Sequence, residues 1–268
     1  MDSRPRDTNH RPRKMESVNK DLVWVTFINY GYIHYTKNFL LSMEKNHIDF
    51  KLVVYCNDDK TFEELKDHPR CICKKTDFLK TSFSERFSRW GNSEYIRICF
   101  AKLDVWLHAL KETYALGVKA VGFIDTDVFL FSDPTPLFVK AMDDHKKVQV
   151  FAQCDETGTT CVKPDQCPNM CAGVMVVRNN PALYSLFEYK ESDIGRFPSD
   201  QHYLHNLFVS RSVPRRTLAR SVIPNGAYYP LLKRTPVEFG SEPCLIHFNW
   251  IVGNDKERVM RLQGLWLL

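Results

Sequence analysis

Short apolar runs rich in β-branched and aromatic residues recur along this chain with helical patterns between them, and that alternation limits the fold more than any other feature. The run Leu22-Val23-Trp24-Val25-Thr26-Phe27-Ile28 reads as a strand buried on both faces, followed by a turn at Asn29-Tyr30-Gly31-Tyr32. A helix is expected over residues 35–45, a second strand over 50–56 ending at Asn57-Asp58-Asp59, and a helix through residues 62–65. Between Ser93 and Leu116, Ile96, Cys99, Phe100, Leu103, Trp106, Leu107 and Leu110 step by three and four, giving an amphipathic helix stopped by Gly117. The strand Ala120–Ile124 follows and ends at Asp125-Thr126-Asp127. A helix over 136–145, strands over 147–153 and 173–178, and a helix over 181–189 continue the series. Such alternation predicts an α/β fold: a Rossmann-like, mostly parallel mixed sheet with helices on both faces. Ligands of such sheets bind beyond the carboxyl ends of the strands, where Asp125-Thr126-Asp127 falls.

The chain has 268 residues, 44% of them hydrophobic, enough for one large core. Residues 1–20 hold six Lys/Arg against three Asp/Glu, which is +3 of the formal +5 and leaves +2 for the rest. That near-neutral remainder, with no basic helix, argues against a nucleic-acid partner. Residues 1–20 are expected to be a disordered basic leader and 21–268 a single domain. No stretch reaches the roughly 20 apolar residues that span a bilayer, and the Arg-rich start lacks the apolar core of a secretory signal. The chain as given is expected to be cytoplasmic, with the Golgi lumen the alternative if it is part of a longer, anchored protein. Nothing in the sequence sets the oligomeric state.

Nine cysteines are present. Cys56, Cys99 and Cys244 lie in apolar runs and read as reduced core residues. Cys154, Cys161, Cys167 and Cys171 fall within 18 residues of a polar loop, without paired C-x2-C knuckles, and leave reduced thiols, disulfides and zinc all open.

Two carboxylates one residue apart, just past a buried strand, can both turn toward one hard cation that keeps positions open for substrate phosphates. An isolated D-x-D is also a common polar turn. Its company is more specific. Phe123-Ile124-Asp125-Thr126-Asp127-Val128, Cys171-Ala172-Gly173-Val174-Met175-Val176-Val177-Arg178, Ser199-Asp200-Gln201 and His247-Phe248-Asn249-Trp250-Ile251-Val252-Gly253 occur in the order seen in nucleotide-diphospho-sugar transferases. The set resembles glycosyltransferase family 77 and its relatives, with further similarity to the glycogenin-like retaining enzymes, from about residue 22 to 266.

That resemblance implies a GT-A fold and a metal-dependent transfer of sugar from a nucleotide-diphosphate donor, a UDP- or GDP-sugar, to a hydroxyl of a glycan or glycoprotein, with retention. Asp125, Asp127 and His247 would bind Mn2+, with Mg2+ also possible; a site with imidazole among its ligands suits Mn2+ better. Gly253 and Lys256, in a Gly-x-x-Lys spacing, would touch the diphosphate, with Thr126 beside them. Phe27, Asn29 and Tyr30 would surround the base, Asp58 would accept a base N–H, and Arg97 and Lys102 would steady the diphosphate or sugar. Asp200 and Gln201 would lie at the reacting sugar. Asp155 and Glu156 would face the acceptor, Asp155 serving as general base if the reaction inverts. Cys171 departs from the Asn that relatives carry there. Two other readings stand beside this one: a haloacid-dehalogenase-like phosphatase with Asp125 as nucleophile, and a non-catalytic interaction module centred on residues 154–171.

Overall fold

The computed structural model describes residues 18–80, 84–88, 91–157, 167–228 and 243–268. The main sheet has seven strands: β1 (Val23–Ile28), β2 (Leu52–Cys56), β3 (Cys71–Lys75), β4 (Ala120–Ile124), β6 (Val150–Cys154), β7 (Met170–Arg178) and β8 (Arg215–Leu218), in the order β3-β2-β1-β4-β7-β6-β8. β7 runs antiparallel to both β4 and β6, and the other described pairings are parallel. The sheet is therefore mixed and mostly parallel, as expected. The order reverses at β1, with β2 and β3 on one side and β4 on the other, so the crevice beyond the ends of β1 and β4 is the switch point where such sheets bind ligands.

Alternate side chains of the strands feed two cores. Val25, Phe27, Val53 and Phe123 pack with α3 (Ser93–Ala115) and α5 (Asp200–Ser210), while Trp24, Leu52, Val54 and Ile124 pack with α1 (Ile33–Lys45), α2 (Asp59–Leu65) and α4 (Thr135–Asp144). Both faces are covered, which is why the strands read as unbroken apolar runs. A third cluster joins α6 (Asn254–Leu262) and the C-terminal residues to a two-stranded ribbon of β5 (Val128–Leu130) and β9 (Leu245–His247), through Tyr35, Phe129, Ile246, Phe248, Met260 and Leu265. Asn38, fully buried on α1, clamps this end by donating to Leu265 O at 3.0 Å and accepting from the Leu267 N–H at 2.6 Å.

Several expectations shift. Residues 181–189 form no α-helix; Pro181–Leu186 is a 3-10 segment capped by Asn180, too short and too interrupted to propagate. β3 escaped the sequence reading because its run is short and ends in two lysines, as an edge strand's can. The strand after 173 begins earlier, at Met170, and bulges opposite Ala152 and Gln153, where the pairing jumps from Met175 to Cys171. Cys154 and Cys167 form a disulfide that closes the loop after β6, and Cys171 is a buried free thiol. Cys161 and most of the leader lie outside the described residues. No helix among the described residues is long and apolar enough to cross a membrane.

Candidate metal and donor site

The carboxylates and the imidazole meet because of strand pairing. Past β4, the Asp125 N–H donates to Gly173 O at 2.7 Å, tying the turn to the β7 bulge. The chain then enters β5, whose Val128 pairs with His247 of β9, and the Phe248 N–H donates to Asp127 O at 2.9 Å. His247 Nε2 consequently stands 3.2 Å from Asp127 Oδ1 and 3.7 Å from Asp125 Oδ2. One ligand atom from each of the three lies within 4.8 Å of the others, and theirs is the cluster of this kind among the described residues. Two carboxylate oxygens and one imidazole nitrogen, largely shielded from water, form a donor set that fits a divalent cation such as Mn2+.

The imidazole is fixed by a residue that local sequence pattern does not single out. Gln153, fully buried on β6, donates its amide N–H groups to Ile223 O (3.1 Å) and Pro224 O (2.8 Å). Its amide orientation is thereby set, because the flipped form would press an oxygen against two carbonyls. Gln153 Oε1 therefore accepts from His247 Nδ1, 2.9 Å away, which turns Nε2 toward the two carboxylates. Gln153→Met keeps the size and loses the acceptor; Mn2+ affinity measured by calorimetry is expected to fall about 10–100-fold. An unchanged affinity would show that the ring holds its orientation without Gln153.

Two lysines oppose the carboxylates. Lys102 of α3 donates to Asp125 Oδ1 at 2.6 Å, and Lys256 of α6 pairs with Asp127 Oδ2. Burial pushes the Asp127 carboxyl up, but Lys256 and His247 outweigh it and hold the group well below the usual carboxylate range. Burial works against the Lys102 charge in the same way, and Asp125 and Asp200 more than restore it. Asp200, on the first turn of α5, is buried, and burial raises its pKa against the pull of Lys102. Its Oδ2 has no hydrogen-bond partner among the described residues. A buried oxygen of that kind is costly unless a ligand group meets it.

Beside Asp200, the Gln201 side chain accepts from the Ala172 N–H at 3.1 Å and donates to Asp155 Oδ2 at 2.8 Å. Asp155 Oδ1 also accepts from Asn249 and from the Trp250 indole N–H, at 2.5 and 2.9 Å. Asp155 is thus a hub of three donors that joins β6, α5 and the segment after β9. Burial raises its pKa, and the hydrogen bonds from Gln201, Trp250 and Asn249 oppose the rise. Glu156 pairs with Asn169. Buried Cys171 lies 3.5 Å from His247 Nδ1 and accepts from Asn249.

At the far end, the buried Asn29 donates to Ser84 O and Arg86 O, and its Oδ1 has no partner among the described residues. Asp58 accepts from the Tyr30 N–H and caps α2 through Thr61. Phe27 is buried in the α3 core, and Tyr30 is exposed beside it in sequence. Thr126 is buried between the two metal-facing aspartates, and Gly253, at φ +61, opens α6 just before Lys256. Arg97 pairs with Glu191 at the surface, 3.0 Å away, and not with either aspartate.

A family model described as nucleotide-diphospho-sugar transferase matches residues 47–260. The chain belongs to that family. The match spans Asp125, Asp127 and His247 together with Asp200, Gln201 and Lys256, and it displaces the phosphatase reading. Solved structures agree on the fold. The glycosyltransferase GlyE of Streptococcus pneumoniae TIGR4 has a TM-score of 0.55 at 17% identity, covering 92% of this chain and 59% of its own. The galactosyltransferase LgtC, solved with donor and acceptor sugar analogues, has a TM-score of 0.56 at 15% identity over 91% of this chain and 96% of its own. Mouse xyloside xylosyltransferase 1 has a TM-score of 0.52 at 11% identity over 85% and 98%. The chain therefore has the GT-A fold, and it spans about 59% of the GlyE chain it matches. A search of curated protein sequences finds no significant match.

Some residues of the transferase site were invisible as such in its sequence. Gly173 sits inside a quoted motif, yet its role is steric: a Cβ there would collide with Asp125 Oδ2 and His247 Cε1. Gln153 shows no signal beyond being a polar residue in an apolar run. Asn249 and Trp250 lie two and three residues after His247, but only the fold reveals that both turn onto Asp155.

Proposed function

We propose that this chain transfers a sugar from a nucleotide-diphosphate donor, a UDP- or GDP-sugar, to a hydroxyl of a glycan or glycoprotein, with retention at the anomeric carbon. The convergence of Asp125, Asp127 and His247 beside the unpartnered Asp200 Oδ2 is the observation that carries this reading. Asp125, Asp127 and His247 would hold Mn2+, or Mg2+ in its place, and the cation would neutralise charge on the departing diphosphate. Lys256 and Lys102, now paired with the two aspartates, lie where they can turn to phosphate oxygens, and Gly253 lets the backbone approach them closely. Asp200 and Gln201 would receive the sugar hydroxyls and stabilise positive charge developing at the anomeric carbon. Asn29 Oδ1, without a partner among the described residues, would accept from a base N–H beside Tyr30, with Asp58 holding the Tyr30 turn and Phe27 supporting this end from the α3 core. Asp155, engaged by three donors, supports Gln201 better than it would serve as a base. The Cys154–Cys167 disulfide favours an oxidising compartment over the cytoplasm.

Incubation with Mn2+, a panel of UDP- and GDP-sugars and a set of glycoside acceptors is expected to release the nucleoside diphosphate from one donor, and NMR of the glycoside product to show the donor's anomeric configuration. An inverted product would remove retention. Release of nucleoside diphosphate from none of the donors, with or without Mn2+, would remove the transferase reading.

A further inference from the structure

Trp250 is the largest side chain left in the open beside the proposed site. It is 57% exposed, whereas Asp155, to which it is bonded, is buried, and Gln201 and Asn249 are half-buried. Its backbone lies at φ +66°, in the left-handed region that is strained for a bulky residue and persists only where surrounding contacts impose it. The contact that imposes it is the indole N–H, which donates to Asp155 Oδ1 at 2.9 Å. The adjacent Asn249 donates to the same carboxylate oxygen and accepts from the Gly226 N–H at 3.3 Å, so both residues of the turn are pinned. The ring is held by its polar edge on a residue 9% exposed while most of its surface stays in water. Burial would have hidden that apolar area; this arrangement presents it.

We propose that Trp250 is the stacking platform for the acceptor, and that the acceptor group seated there is a pyranose ring. This inference rests on the transferase reading above and names the substrate class at its second subsite. A pyranose has an apolar C–H face for the indole and hydroxyls at its rim for hydrogen bonds. Both complements are present: the indole face, and beside it the Asp155 carboxylate with the side chains of Gln201 and Asn249. The same Asp155 links the platform to Gln201, next to Asp200, so an acceptor on the ring lies on the sugar side of the metal ligands. The base end is elsewhere, at Asn29 and Tyr30 beyond β1, with its own exposed aromatic ring. Trp250 is thus placed for an acceptor and not for the nucleotide.

The test uses the whole chain with Mn2+ and, in parallel, UDP or GDP. Saturation-transfer NMR with a panel of methyl pyranosides of galactose, glucose and xylose reads the acceptor side, and calorimetry with UDP or GDP reads the donor side. At least one pyranoside is expected to bind, with its ring C–H protons most strongly saturated. Trp250→Ala should weaken that binding about tenfold or more, the scale of a tryptophan anchor, and leave the nucleotide affinity within about twofold. Trp250→Phe keeps an aromatic face and should restore binding to within about threefold of wild type. A pyranoside bound equally by wild type and Trp250→Ala overturns the proposal, as does a Phe variant no better than Ala. Failure of every pyranoside to bind while a nucleotide binds also overturns it and points to a non-sugar acceptor. Failure of both nucleotides with pyranoside binding intact at Trp250 would sink the transferase reading and leave a sugar-binding surface.

Discussion

Asp127→Asn is expected to lower Mn2+-dependent turnover by about a thousandfold or more, because it removes a charge from the proposed ligand set at the point where the diphosphate leaves. The fold should survive. Asparagine is nearly isosteric and still offers Lys256 an acceptor, so the melting temperature without Mn2+ should reflect a loss of about 1–3 kcal/mol, the worth of a charge-assisted hydrogen bond. Wild type should be stabilised by added Mn2+ and the variant should not, since a ligand stabilises only the state that binds it. The pH dependence has a definite sign. The folded Asp127 carboxyl lies below its unfolded value near 3.8, so its contribution is complete above that pH and fades as pH falls through the folded value. The stability gap between wild type and variant should therefore close in strong acid. Near-wild-type turnover at neutral pH would take Asp127 out of the mechanism.

Gly173→Ala is expected to be as damaging to metal binding through a single methyl group. Gly173 does not have a positive φ, so no backbone strain is introduced; the effect is steric. Its Cβ would enter the space of Asp125 Oδ2 and His247 Cε1 together, and both proposed ligands would have to retreat. Neither retreats freely. His247 is held by Gln153 from behind, and the Asp125 backbone is bonded to Gly173 itself. A displacement of about 1 Å at a reacting centre costs about a hundredfold in rate, and overpacking costs about 1–3 kcal/mol of stability. Calorimetry should show at least a tenfold loss of Mn2+ affinity in a protein that still melts cooperatively. Unaltered affinity would mean that the β7 bulge can shift, and that Gly173 is present for another reason.

The layered α/β architecture was legible because it is written in short-range pattern. Strands buried on both faces lose polar alternation, and Leu22 to Ile28 and Ala120 to Ile124 show it. The long helix α3 announces itself by spacing, and its stop by Gly117 at φ +74. What failed was short or marginal: β3 ends in lysines at the sheet edge, β5, β8 and β9 have three or four residues each, and residues 181–186 wind as 3-10. Elements of that size owe their existence to partners distant in sequence, which local propensity does not encode.

The site divides along the same line. The sequence by itself determined the chemistry on offer: two carboxylates after a buried strand, a histidine far downstream, a Gly-x-x-Lys and an Asp-Gln, in an order that marks the family. Tertiary structure alone decided that His247 pairs across from Val128 and so faces Asp125 and Asp127, that Gln153 sets which imidazole nitrogen does so, and that Asp155 is a hub for Gln201, Asn249 and Trp250. The physical reason is range. Side-chain type and spacing fix what a residue can do within a few positions, whereas a side-chain cluster joined by pairing of Val128 with His247, 119 residues apart, exists only once the backbone hydrogen bonds have closed.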